Sequence, residues 1–525
     1  MKARAAVILL WGVLCWAFFQ FLYPCHFFYQ EQNQLFLLST DYIATYLQKP
    51  AWAACLVGDF LTQFYYYLYA GPAILAIALL TVGDLARRAL QHAGMRQGWA
   101  FALALLVMTL EAFCCLRAQH RLSAVVALGG GFATYFVASL LYRRCGKVMT
   151  AVLIIVASAF AYWLFGYGLW VMQALLIIEA VCQWRKGNKG WHPPFCFAPL
   201  ALVPLIAFLA PRHYYLTPLA ALAYPNPGKP ALPDFVLERD FAVDNEYHLG
   251  HFHKVEQMVE EADTHTDQML FFYNLVKAQK GELPDNLLRF IPNQLGTFYA
   301  IGPETPRLVI INMNELYWAL GDMTLTERAA MMTNVFSPRN RNVRMVKRLA
   351  ECNMVSGDTL AAMKYLRLLR QTVAYSQWAK YAMEGEPKTC HFVAEKRPYI
   401  NKADTLRLND NLHMVMMELL DSNPGNIAAL DYILCSTLLL KDMENFKRDY
   451  DRYCYNLGRE RVKPLYQQAL MIYLAGTNAS EEEWRKYIHD ERMVARFAEY
   501  NRQRGNTLFK DTYWYYFDTA QKPQP

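Results

Sequence analysis

The residues best suited to chemistry in this chain are acids and bases set in apolar surroundings. Glu111 lies near the end of one long apolar run, and Glu179 lies inside another. A carboxylate at membrane depth is costly, so it faces a bundle interior, where it finds a partner or keeps its proton. Arg117, His120 and Arg121 crowd the end of the run that holds Glu111. Two kinds of chemistry fit them: pairing with Glu111, or contact with a lipid phosphate, for which a planar guanidinium offers two parallel donors. Pairing is the simpler of the two. A third acid, Glu31, stands between glutamines in Tyr29-Gln30-Glu31-Gln32-Asn33-Gln34.

The remaining candidates are weaker. His248, His251 and His253 cluster around a glycine turn, but their spacing is not the helix-borne i, i+4 pair of a zinc site, so a polar turn is expected and no metal. Twelve cysteines are scattered without a C-x-x-C pair. Cys352, Cys390, Cys435 and Cys454 would allow one or two disulfides in an oxidising compartment, with no pairing specified. No nucleophile elbow, phosphate loop or H-E-x-x-H occurs, which argues against a soluble hydrolase. The formal charge of +7 comes without a basic run interleaved with aromatics, so no nucleic acid is expected as a partner.

The elements that must position these groups divide the chain in two. Residues 1–211 carry about seven runs apolar enough to cross a bilayer, at 5–23, 67–84, 99–116, 122–142, 148–164, 168–184 and 194–211. The first lacks a small-x-small cleavage site and reads as a retained anchor. Lys2, Arg4, Arg87, Arg88, Arg96, Arg143, Arg144, Lys147, Arg185, Lys186 and Lys189 flank the runs on one side, against Lys49, Arg117 and Arg121 on the other. In a bacterial inner membrane this bias puts the N-terminus in the cytoplasm. An odd number of spans then puts everything after residue 211 in the periplasm.

The outer loop 24–66 holds two amphipathic pieces, Leu35 to Leu47 and Leu56 to Tyr67, with Phe64, Tyr65, Tyr66, Tyr67 and Tyr69 crowding the second. Such aromatics belong at a membrane interface. The pieces read as helices lying on the lipid surface, or as the walls of a cleft that holds Glu31.

After a Pro-rich linker at 212–233, residues 234–525 are helix-patterned throughout. Gly250 is followed by Phe252, Val255 and Ala262 at the offsets of a tetratricopeptide unit, whose tight turn favours a residue tolerant of positive φ. Gly281, Gly321 and Gly357 follow at intervals of 31, 40 and 36 residues, near the period of about 34. A last unit runs from Asn423-Pro424 through a helix at Ile427 to Leu440, a turn at Lys441-Asp442, and Met443 and Phe446. The segment 383–410 reads as a long loop dividing the array, Arg307 to Asn312 as an extended piece or a short helix, and Tyr513 to Phe517 as a cap on the last unit. The expected fold is all-α: a polytopic helical bundle followed by a soluble α-solenoid of degenerate helix pairs.

The layout of 1–211, with its long first outer loop and an acid soon after the first span, resembles the core of the polyprenyl-sugar-dependent glycosyltransferases of the GT-C superfold. The resemblance implies that Glu31 matches the acidic position, as general base or ligand of a divalent cation, and that Arg117, His120 and Arg121 meet the phosphate of a polyprenyl-linked sugar. The family's usual acid is Asp, often paired, and its members generally have further spans. The whole chain, through the Tyr-Gln-Glu-Gln stretch and Phe60 to Tyr67, also looks like an uncharacterised group of bacterial inner-membrane proteins with a tetratricopeptide-like periplasmic domain. The expected function is therefore binding of a protein or peptide partner in cell-envelope assembly, with no cofactor. Glycosyl transfer at the outer leaflet is the alternative.

Overall fold

The computed structural model describes residues 2–186, 197, 199–290, 298, 307–337, 340–400, 411–458 and 461–521. Every regular element among them is helical, as the patterning implies. The chain forms two compact units. Unit 1 comprises 1–241 with two later pieces, 337–344 and 367–380; unit 2 comprises 242–336, 345–366 and 381–525.

Unit 1 begins with α1 (Lys2–Phe21), α2 (Cys25–Gln32), α3 (Thr40–Ala44) and α4 (Trp52–Thr62). The long helices α5 (Ala70–His92), α6 (Gln97–Cys114), α7 (Leu122–Tyr142), α8 (Lys147–Phe165) and α9 (Gly168–Arg185) follow, then the short α10 (Leu202–Leu209) and α11 (Pro218–Leu222). Here the expectation of seven spans needs correction. Among the described residues, three helices are long and apolar enough to cross a membrane, Gln97–Cys114, Leu122–Tyr142 and Val148–Phe165. A fourth qualifies only if Ala6–Phe21 and Cys25–Gln32, bent by 73°, count as one span. The others are not among them. Helix α5 carries Asp84, Arg87 and Arg88 in its later turns, and α9 carries Gln173, Glu179 and Gln183. Helix α10 has eight residues, with Pro204 in its first turn, where an apolar run from 194 was expected; 194–196 and 198 lie outside the described residues.

Helix α7 is the centre of this unit and touches α4, α5, α8 and α9. Its Gly129-Gly130-Gly131 run leaves room for the turn between α8 and α9: a Cβ at Gly131 would lie 2.5 Å from the Gly168 carbonyl. Small residues of this kind let helices approach closely where lipid offers no hydrophobic drive. Gly58 does the same for α4, since a Cβ there would lie 2.5 Å from the Ser123 backbone. The Pro-rich stretch is packed rather than free. The Tyr167 N–H donates to the Tyr224 carbonyl (2.8 Å), Trp170 Nε1 to the Leu222 carbonyl (2.8 Å) and the Ala231 N–H to the Phe113 carbonyl (3.1 Å).

The later helices are hairpins. Helices α12 (Phe235–His248) and α13 (Phe252–Glu260) turn at Gly250; α14 (Asp267–Gln279) and α15 (Leu283–Asn286) turn at Gly281. Helices α16 (Arg307–Leu320) and α17 (Met323–Phe336) turn at Gly321, and α18 (Val343–Ser356) and α19 (Thr359–Leu369) at Gly357. All four glycines have φ between 69° and 87°. The segment expected as a long loop is partly helical: α20 (Ser376–Met383) turns at Gly385 into α21 (Pro387–Lys396), Pro387 being placed where a helix start needs no N–H. Residues 401–410 lie outside the described part. Helix α22 (Leu412–Ser422) precedes α23 (Ile427–Leu439), which turns into α24 (Met443–Tyr450) through Lys441 at φ 54°. Arg307 to Asn312 is the helical start of α16.

The chain ends with α25 (Pro464–Gly476), α26 (Glu481–Tyr487), α27 (Glu491–Arg502) and α28 (Tyr513–Thr519). The core of unit 2 contains Phe272, Tyr273, Tyr432, Tyr466 and Trp514. The terminal aromatics close it: Trp514 Nε1 donates to the Gln468 carbonyl (3.0 Å) and the Tyr513 hydroxyl to the Leu438 carbonyl (2.7 Å).

Candidate functional site

The polar groups singled out in the membrane half gather in three places in unit 1. The first is built on α2. Burying one turn of a helix whose outward residues are amides requires partners for each, and segments from far along the chain supply them. Arg344 Nη1 donates to Gln32 Oε1 (3.0 Å), Asn342 Nδ2 to Asn33 Oδ1 (3.0 Å), and the Val343 N–H to the Gln34 carbonyl (3.1 Å). The Leu38 N–H donates to the Gln371 carbonyl at 2.8 Å. Glu31 itself is buried and accepts a 2.9 Å hydrogen bond from the Tyr375 hydroxyl. Tyr66 packs edge-on against Tyr375, with ring centroids 5.3 Å apart. Burial pushes the Glu31 carboxyl up to about 8, although the Tyr375 hydrogen bond works the other way. At neutral pH it is therefore mostly protonated. Tyr46, in the turn after α3, donates to Asp59 Oδ2 (2.9 Å), and Gln34 Nε2 donates to the Asp59 carbonyl (3.0 Å), which ties that turn and α4 to the same stretch.

The second place is the end of α6. Glu111 Oε1 and His120 Nε2 lie 2.8 Å apart and both residues are buried, so the simpler of the two sequence readings describes His120. Gln30 Nε2 donates to the His120 carbonyl (3.1 Å), and the Tyr23 hydroxyl donates to the Leu116 carbonyl (3.2 Å). Arg117 is exposed and makes no ion pair among the described residues. Arg121 is half-buried and lines a cleft of about 490 Å³ together with Gln119, Ser123, Thr217 and Asn226. The three basic residues thus part company: His120 pairs inward, Arg117 is exposed and Arg121 lines a cleft.

The third is Glu179, 1 % exposed, which receives Tyr135 (2.8 Å), Tyr142 and Arg143, whose Nε lies 3.1 Å from Oε1. Two hydroxyls and a guanidinium satisfy this carboxylate, as a buried charge demands. Tyr135, Tyr142 and Arg143 were legible only in part. Their spacing on one helix is plain, but nothing local shows which face meets Glu179.

Elsewhere, the histidines of the Gly250 turn disperse. His251 Nδ1 meets Glu246 Oε2 at 2.6 Å, while His248 Nδ1 lies 3.7 Å from Glu315 Oε1. Cys352, Cys390, Cys435 and Cys454 are all free thiols. Sequence reasoning passed over Cys115, which follows Glu111 by one helical turn and shares its buried face.

A family profile matches residues 1–520. The chain belongs to the family of unknown function DUF6057. This agrees with the expectation of an uncharacterised group and carries no activity with it. No curated protein matches, and no solved structure does.

Proposed function

We propose that this chain is a multi-pass protein of the bacterial inner membrane whose helical-hairpin region, 234–525, lies in the periplasm and binds a protein or peptide partner in cell-envelope assembly. The observation that carries this reading is the succession of helix pairs closed by left-handed turn residues at Gly250, Gly281, Gly321, Gly357, Gly385 and Lys441. Stacked pairs of this sort form α-solenoids, which present extended surfaces to peptides and proteins. The one-sided basic flanks support the orientation. Helix α17 adds an apolar face, with Met331, Met332, Val335 and Phe336 all exposed.

The glycosyltransferase alternative would have Glu31 meet an acceptor and Arg117, His120 and Arg121 meet a polyprenyl phosphate. It is disfavoured by the burial of Glu31 behind Tyr375 and by the inward pairing of His120.

The test combines topology with contact. A reporter fused after residue 525 should be active only in the periplasm. A photo-crosslinking residue placed at Val335 or Phe336 in cells should give a discrete adduct, and one placed at Arg485, on α26, should not. Loss of an envelope glycan in Glu31→Gln, with no adduct at either α17 position, would favour the enzyme instead.

A further inference from the structure

We propose that Glu111, Cys115 and His120 form a binding site for a divalent transition-metal ion of the zinc class. The three side chains offer a carboxylate oxygen, a thiol sulfur and an imidazole nitrogen that all lie within 4.8 Å of one another, and all three residues are buried. This is the mixed N, O and S donor set that zinc takes, and tetrahedral coordination separates such ligands by roughly 3.5 Å. Glu111 and Cys115 are one helical turn apart at the end of α6, so they share a face. His120 returns to that face from the short turn that follows.

The His120–Glu111 hydrogen bond explains two of the three groups. It does not explain why a thiol lies with them, nor why the turn is held so firmly. The His120 N–H donates to the Arg117 carbonyl (2.9 Å), its own carbonyl receives Gln30, and the Leu116 carbonyl receives Tyr23. On the far side, Gly228 lies against the ring, where an added Cβ would be 2.2 Å from Nδ1. His120 Nδ1 itself is buried with no hydrogen-bond partner. A ring held on both sides, with Nε2 2.8 Å from the Glu111 carboxylate, is preorganised for an ion.

The charge count supports the same conclusion. A dication matched by one carboxylate and one thiolate is neutral, which suits an apolar surrounding. Binding requires the Cys115 thiol to release its proton and His120 to present an unprotonated Nε2, so affinity should fall as pH is lowered. Three protein ligands leave a fourth position for water or another donor.

The experiment uses the full chain purified in detergent under reducing conditions, with cobalt(II) as the probe. Wild type should show a near-ultraviolet thiolate-to-cobalt absorption that zinc abolishes. Cys115→Ser should remove that band. His120→Ala and Glu111→Gln should weaken cobalt binding on the order of tenfold or more. Cys114→Ser, at the adjacent thiol, should leave both unchanged and so separates loss of a ligand from loss of fold. Wild type without the band, or a band that survives in Cys115→Ser, overturns the proposal and leaves a Glu–His pair only.

Discussion

The Tyr375 hydroxyl donates a 2.9 Å hydrogen bond to the Glu31 carboxyl group from 344 positions away in the chain. Both groups are buried. Tyr375→Phe would remove that donor, at a cost of about 1–3 kcal/mol. The expected outcome is a lower melting temperature of the full chain in detergent. An unchanged melting temperature would show that the bond contributes nothing net.

The pH dependence of this pair has a definite sign. Glu31 is raised from its ordinary value of 4.5 to about 8 by burial, so across that window the folded chain keeps a proton that the unfolded chain has released. Stability on this account is greatest below the ordinary value, declines as pH rises through the window and levels above about 8. Glu31→Gln should remove the decline. Its melting temperature relative to wild type should therefore climb between about pH 5 and pH 8. A difference that stays flat across that range would count against a raised carboxyl.

Glu179 and Arg143 should behave as a coupled pair, with the carboxylate buried and the guanidinium open to water. Arg143→Ala strands a carboxylate that is 1 % exposed, leaving it Tyr135 and Tyr142 among the described residues. Because water screens the exposed guanidinium, the expected loss is below the roughly 3–5 kcal/mol of a fully buried pair, and Glu179→Gln added to Arg143→Ala should recover part of it. Thermal unfolding of the four combinations measures the coupling, and strictly additive losses would contradict the pairing.

The turn glycines of the hairpins should not be equal. Gly250 has φ 78° and open space around it, so Gly250→Ala meets only backbone strain of about 1–2 kcal/mol. Gly321 has φ 87° and would also bring a Cβ to within 2.6 Å of Tyr399 Cβ. Gly321→Ala should therefore be the more damaging by denaturant titration. Equal losses would mean that Tyr399 moves freely.

Arg461 should resist replacement by lysine. Its Nε and Nη2 reach the two oxygens of the buried Asp431 at 2.8 and 2.7 Å, and Nη2 also donates to the Gly281 carbonyl at 2.7 Å. A lysine keeps the charge but loses the planar fork. Arg461→Lys should expose Cys435, which lies beside Tyr466 next to Asp431, to thiol reagents sooner than in wild type. Equal labelling rates would show that charge alone suffices there.

Much of this architecture is a local property of the chain. Hydropathy marks the membrane helices α6, α7 and α8, because crossing a bilayer depends on run length and composition alone. Turn chemistry marks Gly250, Gly281, Gly321 and Gly357, because positive φ is a demand on one residue and glycine meets it at least cost. The count of spans was less legible. Helix α5 is long enough, yet Asp84, Arg87 and Arg88 occupy its end, and α10 stops after eight residues.

Which polar groups meet was decided by the tertiary structure. Read as a sequence, Glu31 is an acid among amides beside a membrane, and it could as well line an open cleft. Folding brings 337–344 and 367–380 onto that stretch, so Tyr375, Asn342 and Arg344 become its partners. Likewise, the helical period puts Glu111 and Cys115 on one face, but only the return of the chain at His120 makes them a group of three. The reason is physical. Helix formation and membrane partition are set by neighbours within a few residues. The partner of a buried polar group is set by which distant surface excludes water from it, and no local pattern encodes that.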